Sequence, residues 1–233
     1  GWMAAYRLAA CLRTGHTWRA ALDTASANYT QNRRGIPMSH YPQAAFIKSA
    51  DAPAQFVADE GAEVAFAGRS NAGKSSAINI IVNRRQFART SKTPGRTQLI
   101  NFFTLRDGAR IVDLPGYGFA KVSERKRDHW ADLMAEYFET RASLRGMFLI
   151  VDIRRQLTDF DRQMLAFAES VGLPVHVLLT KTDKLKRGQA AKALLEVRRE
   201  LGDTATVQHF SALSRLGETE AREQLETFLA LEP

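Results

Sequence analysis

Gly68 to Ser75 read GRSNAGKS, between the apolar run EVAFA and a stretch of helical period, KSSAINIIVN. Gly68 and Gly73 permit a tight turn in which successive amide N–H groups line an anion nest at a helix N-terminus. A strand, a loop and a helix in that order are the setting a Walker A loop requires. In such a loop Lys74 lies along the β- and γ-phosphates, and the Ser75 hydroxyl offers Mg²⁺ an oxygen. Downstream, ARIVDL runs into DLPG, Asp113 to Gly116. A carboxylate at that strand tip can hold Mg²⁺ through a water, and the Gly116 amide can approach the γ-phosphate.

Two later elements speak to the base. PVHVLLT ends in TKTD, Thr180 to Asp183. The Asp183 carboxylate can accept from the N1–H and the exocyclic amine of guanine, whereas adenine has an acceptor at N1. Hydrogen bonds to a charged group contribute roughly 1.5–3 kcal/mol each, and the wrong base leaves a desolvated carboxylate unpaired. Lys181 can lay its aliphatic stem over the base plane. FSA, Phe210 to Ala212, offers backbone amides near the guanine oxygen. The elements fall in order at the ends of expected strands, where ligands bind in open α/β sheets. Together they indicate a GTP- and GDP-binding site.

The elements that must position these residues follow from hydrophobic period. From Gln55 onward short apolar runs alternate with helical stretches, which predicts strand-helix units around a mostly parallel sheet; with the GRSNAGKS loop and the guanine motif, the expectation is an α/β fold of the P-loop NTPase kind, a Ras-like G domain. The expected strands are Glu63–Ala67, Leu99–Leu105, Arg110–Leu114, Gly146–Ile153, Val175–Thr180 and Thr206–Phe210. Only Arg106–Ala109, with an Asp-Gly pair, separates the second strand from the third, and so short a link permits a hairpin and forbids a parallel crossover. The expectation is a six-stranded mixed sheet with one antiparallel strand and helices on both faces. Trp130, Leu133, Met134, Tyr137 and Phe138 share one helical face and read as core. Thr158 before Asp159 and Asp161 reads as an N-cap. Further helices are expected from about Gly188 to Leu201 and about Glu218 to Leu231.

With 45% hydrophobic residues among 233, the chain can bury one full core. Its longest apolar runs are strand-sized, short of the roughly 18 residues of a membrane span. The lone cysteine, Cys11, excludes an intramolecular disulfide and a cysteine zinc cluster and suits a reducing compartment, so the cytoplasm is expected. Lys+Arg 33 against Asp+Glu 25 gives +8, a surplus that permits an RNA partner without requiring one. Gly1 and Trp2 read as a foreign leader before Met3. Residues 1–40, rich in Ala, Thr and Arg, read as a flexible basic arm, with a transit peptide or a start at Met38 as alternatives; residues 41–233 form the G domain.

GRSNAGKSS, TPGRTQLINFF, DLPGYGFAKV, TKTDK and FSA closely resemble the EngB (YsxC/YihA) family of bacterial GTPases, of the TrmE-Era-EngA-EngB-septin-like class, over roughly the last three quarters of the chain. The resemblance implies Mg²⁺-dependent GTP binding, a role in assembling the large ribosomal subunit, and a requirement in cell division and septation. It assigns nucleotide contact to Gly68, Arg69, Ser70, Asn71, Ala72, Gly73, Lys74 and Ser75, and to Gly95, Arg96, Thr97, Gln98 and Leu99. It adds Asp113, Leu114, Pro115 and Gly116, then Thr180, Lys181, Thr182 and Asp183, and Phe210, Ser211 and Ala212. Ser75 and Thr97 are the implied metal ligands.

Arg89 to Thr97 is polar, basic and broken by Pro94-Gly95, as expected of a loop ordered by Thr97 on Mg²⁺ while Gly116 holds the γ-phosphate. Lys74, Asn71, Thr97 and Gly116 are thus the candidates for acting at the reacting phosphate. Tyr117 follows DLPG where many regulatory GTPases carry a water-orienting glutamine, so intrinsic turnover at or below about 10⁻³ s⁻¹ is expected. Asn71 has two readings: a K⁺ ligand against the phosphates, or a residue that tolerates a tight turn. Lys121, Arg125, Lys126 and Arg127, and Arg154 with Arg155, are candidate ribosome contacts or solvated helix ends. The monomeric chain is read as a slow GTPase switch; the alternative is a GTP-sensing binding module in which hydrolysis is incidental.

Overall fold

Val64 and Phe66 face one way from the strand β2 (Ala62–Gly68), and Ala65 and Ala67 face the other; all four are buried. A strand covered on both faces must be apolar throughout, so its sequence reads as an unbroken run. In the computed structural model, which describes residues 40–88, 99–118 and 124–231, with side chains omitted at 124–127, β2 lies near the centre of a seven-stranded sheet. The other strands are β1 (Ala45–Ala50), β3 (Ile100–Arg106), β4 (Ala109–Asp113), β5 (Leu144–Asp152), β6 (Val175–Thr180) and β7 (Ala205–His209). Their order is β1-β3-β4-β2-β5-β6-β7. β3 runs antiparallel to β1 and β4, and the remaining neighbours are parallel.

The expected mixed sheet is present, with one strand more than the six predicted. β1 was missed because an edge strand needs no buried face: Phe46 and Ile47 of AFIKSA are exposed and only Ala50 is buried. It is recruited by pairing with β3, where the Ser49 hydroxyl donates to Asn101 Oδ1 at 2.6 Å.

Helices cover both faces. α2 (Glu124–Thr140), α3 (Asp159–Ser170) and α4 (Arg187–Leu201) pack on one side through Leu133, Tyr137, Met164 and Val197. α1 (Lys74–Ile81) and α5 (Glu218–Leu229) pack on the other through Ile78, Ile81, Leu225 and Phe228. Thr158 caps α3 as expected, in a capping box with Asp161. At the amino ends of the parallel strands, fully buried Glu63 accepts from Arg110 Nε at 2.8 Å, from Arg141 and from the Tyr137 hydroxyl at 3.3 Å. The carboxyl ends are left for the site.

A candidate guanine nucleotide site at the carboxyl edge of the sheet

β2 delivers the chain into the phosphate loop under tight spatial constraint. A Cβ on Gly68 would stand 2.7 Å from the Ile150 carbonyl oxygen on β5, so only glycine fits there. Gly73, with φ 106, makes the left-handed turn that starts α1 at Lys74. Asn71 also lies in the left-handed region, φ 64, which asparagine tolerates, so the turn alone accounts for its residue type. The Ser70 amide donates to the Tyr117 carbonyl at 2.9 Å, which ties the loop to the DLPG segment after β4. Leu114 N–H donates to Phe66 O at 3.0 Å, and Gly116 lies against the Ser70 backbone.

Lys74 Nζ is ion-paired with Asp113 Oδ1. Both groups are nearly buried, so each satisfies the other's desolvated charge. The chemistry of the pair matches a phosphate with its cation: phosphate would pair with the ammonium and a water-bound cation with the carboxylate. Among the described residues no three His, Cys, Asp or Glu side chains stand together. One serine hydroxyl at 75 and one carboxylate at 113 therefore suit Mg²⁺, which takes few protein ligands and keeps water and phosphate oxygens.

At the other end, Thr180 and Thr182 lock the TKTD turn. The Thr180 hydroxyl donates to Ala72 O, so the tip of β6 is fixed to the phosphate loop. Thr182 Oγ1 donates to Leu179 O at 2.9 Å, and the Thr182 amide donates to Phe210 O at 3.3 Å. Lys181 takes φ 59 and spans the gap, its Nζ donating to Asn71 O at 2.6 Å. Asp183 is exposed as a residue while its side chain is 15% exposed, the carboxylate accepting from the Ser211 hydroxyl at 2.6 Å, with Lys184 Nζ at 3.4 Å. The Ser211 hydroxyl first, and Lys184 with it, hold the Asp183 carboxyl below its ordinary range against the opposing effect of burial. It remains an ionised acceptor at neutral pH.

FSA contributes less than its three amides suggest. Phe210 N–H donates to Leu179 O at 2.8 Å and Ser211 N–H to Leu216 O at 3.0 Å, so fold bonds take two of them. Leu99 lies at the entrance to β3, whereas Gly95, Arg96, Thr97 and Gln98 fall outside the described residues, as do Lys121 and the side chains of Arg125, Lys126 and Arg127.

Residues 63–181 match the model of the 50S ribosome-binding GTPase family. The chain is 52% identical over 182 residues to a Stenotrophomonas maltophilia protein named "Probable GTP-binding protein EngB", a match covering 76% of this chain and 91% of that one. This chain belongs to the EngB family. A Hydrogenovibrio crunogenus protein of the same name is 49% identical over 195 residues, 82% of this chain and 92% of the relative. A crystal structure of a probable EngB GTP-binding protein aligns with TM-score 0.59 at 21% identity, over 72% of this chain and 98% of that one. That likeness shows the fold, and the family shows a GTPase.

Two site features of this EngB chain escape its motifs. Tyr117 is buried; its hydroxyl donates to Asp161 Oδ1 at 2.5 Å, and its ring lies 6.0 Å from Phe160 and 6.2 Å from Trp130. Burial, and then the Asp161 carboxylate, push this phenol well above its ordinary value, so it stays a proton donor. The side chain is committed to the α2–α3 layer. The second is Asp152, at the end of β5 in register with Thr180, which accepts from Lys181 Nζ at 3.0 Å and from Arg154 Nη2 at 2.7 Å. An acid closing the otherwise apolar run MFLIVD was the available signal. Of the two arginines singled out as a basic surface, Arg154 is thus engaged by Asp152, and Arg155 is exposed.

Proposed function

We propose that this EngB protein is a slow GTPase switch in assembly of the large ribosomal subunit, through which it supports cell division and septation. The carrying observation is the Lys181 bond to Asn71 O, 2.6 Å, which joins the phosphate loop to the guanine-reading turn in one rigid unit. GTP bridges these ends: phosphates on Lys74 and on amides of the Gly68–Ser75 loop other than those of Ser70 and Ala72, which donate to Tyr117 O and Arg69 O, the base on Asp183, and its oxygen on the Ala212 amide. Ser75, Thr97 and, through water, Asp113 would hold Mg²⁺, which would supply screening of the phosphate charge. The γ-phosphate is gripped by Lys74 and the Gly116 amide. Since the Tyr117 hydroxyl is turned onto Asp161, the residue that follows DLPG does not orient the attacking water, and the reading is a low intrinsic rate. A ribosomal partner, or K⁺ held in part by Asn71, supplies the missing stimulation; equal turnover in sodium and potassium buffers rules out the cation.

The proposed organisation is a monomer in the cytoplasm, residues 41–233 forming the G domain behind a basic arm, 1–40. None of the described helices is long and apolar enough to cross a membrane. Co-sedimentation with ribosomal subunits tests the switch: large subunits retain the protein with a non-hydrolysable GTP analogue and release it with GDP, in a salt-sensitive manner. Equal retention with both nucleotides overturns it. The inward commitment of Tyr117 also favours a second reading, a GTP-held binding module with incidental hydrolysis, under which large subunits leave single-turnover hydrolysis unchanged.

A further inference from the structure

The tip of β5 carries more charge than nucleotide binding by motif requires. Asp152, 5% exposed, uses both oxygens fully. Oδ1 accepts from the Arg154 amide at 3.1 Å and from Arg154 Nε at 2.9 Å; Oδ2 accepts from Arg154 Nη2 at 2.7 Å and from Lys181 Nζ at 3.0 Å. The Arg154 guanidinium is therefore clamped as a two-pronged donor on a carboxylate, the strong geometry for this pair.

Asp183, the acceptor assigned to guanine, lies two residues beyond Lys181. Among the described residues its side-chain partners are the Ser211 hydroxyl and, at longer range, Lys184, with no arginine fork. Its field nevertheless reaches Arg154: the guanidinium is raised first by its bonds to Asp152, and Asp183 adds to that. The chemistry of the two donors makes this arrangement consequential. Guanine offers a carboxylate an N1–H beside an exocyclic N–H, and a guanidinium offers the same planar pair of parallel N–H groups. Arg154 is then an internal mimic of the base edge, and Lys181 is a second cation on the same Asp152 oxygen, two residues before Asp183.

We propose that Asp152 is a specificity-positioning residue, which sequesters the Arg154 fork and the Lys181 ammonium so that Asp183 stays open to guanine. Lys181, held between Asp152 and Asn71 O, is at the same time stretched into the position from which its stem covers the base. The proposal rests on the guanine reading of Asp183 given above.

Calorimetric titration of the full chain with GDP and with IDP, which lacks the exocyclic amine, in magnesium buffer, tests it. Wild-type binding of GDP over IDP checks the guanine reading itself; absence of that preference sinks the reading before the variants are considered. Given it, D152A weakens GDP by about tenfold and narrows the GDP-to-IDP ratio, since the released Arg154 competes for Asp183. D152A/R154A, which removes the competitor, regains at least about threefold in GDP affinity and part of the ratio. A merely structural Asp152 gives the opposite sign, because a second truncation weakens binding further. GDP affinity in D152A/R154A equal to or below that of D152A overturns the proposal while leaving the guanine reading intact. If melting shows D152A unfolded, the isosteric pair D152N and D152N/R154A carries the same comparison.

Discussion

Tyr117→Phe removes a single oxygen from the seam between the phosphate loop and α3. The ring keeps its neighbours Phe160 and Trp130, so the change isolates the hydroxyl bond to Asp161, 2.5 Å long and fully buried. A hydrogen bond to a charged partner contributes about 1.5–3 kcal/mol, and an abandoned buried acceptor adds its own desolvation cost. Asp161 retains Thr158 N–H at 2.8 Å and Thr158 Oγ1 at 2.7 Å, both on Oδ2, which moderates the loss. The expected destabilisation is about 2 kcal/mol, equivalent to a fall in Tm of roughly 4–8 °C for a chain of this size. Thermal and urea unfolding of the full chain measure it. Since the hydroxyl faces away from the phosphate loop, single-turnover GTP hydrolysis well below the melt changes by less than about threefold, under 1 kcal/mol of barrier. A Tm unchanged within about 1 °C refutes the stability argument. A tenfold loss of hydrolysis with binding intact refutes the assignment of Tyr117 away from the chemistry.

Gly68→Ala forces a Cβ against the Ile150 carbonyl at 2.7 Å; backbone on both sides leaves little room to yield, so about 1–3 kcal/mol of stability is lost, as with overpacked cores, and GDP affinity drops. Titration and melting curves matching wild type dismiss that steric reading. His176 is buried and held neutral, its ring between Thr206 Oγ1 at 2.6 Å and Gln208 Oε1 at 2.9 Å. Burial pushes it down to about 4 from 6.5, against a smaller upward pull from Gln208. The unfolded chain therefore binds the extra proton between those two pH values. Stability from this group is whole above 6.5 and declines as pH falls toward 4, by roughly 3 kcal/mol in total. His176→Gln flattens that part of the stability–pH curve, and an unaltered slope in urea titrations from pH 4 to 7 rejects the assignment.

What the residues declared by themselves was the chemistry that depends on local order along the chain. A phosphate loop is one strand, one turn and one helix in succession, so Gly68, Gly73 and Lys74 are legible without knowing anything else. The guanine turn and the β3–β4 hairpin are local in the same sense, as is the Thr158 cap of α3. The edge strand β1 was not, because its backbone is ordered by β3, 50 residues away, and no buried face marks it. Tyr117 could be read only as a missing glutamine; its bond to Asp161 crosses between elements, and such a pairing has no signature in spacing. Asp152 became functional only when parallel register set it beside Thr180 and within reach of Lys181. Sequence order determines which groups can exist at a turn. The packing of separate strands decides which charges meet, since Coulombic and hydrogen-bond partners are chosen by distance in space and not along the chain.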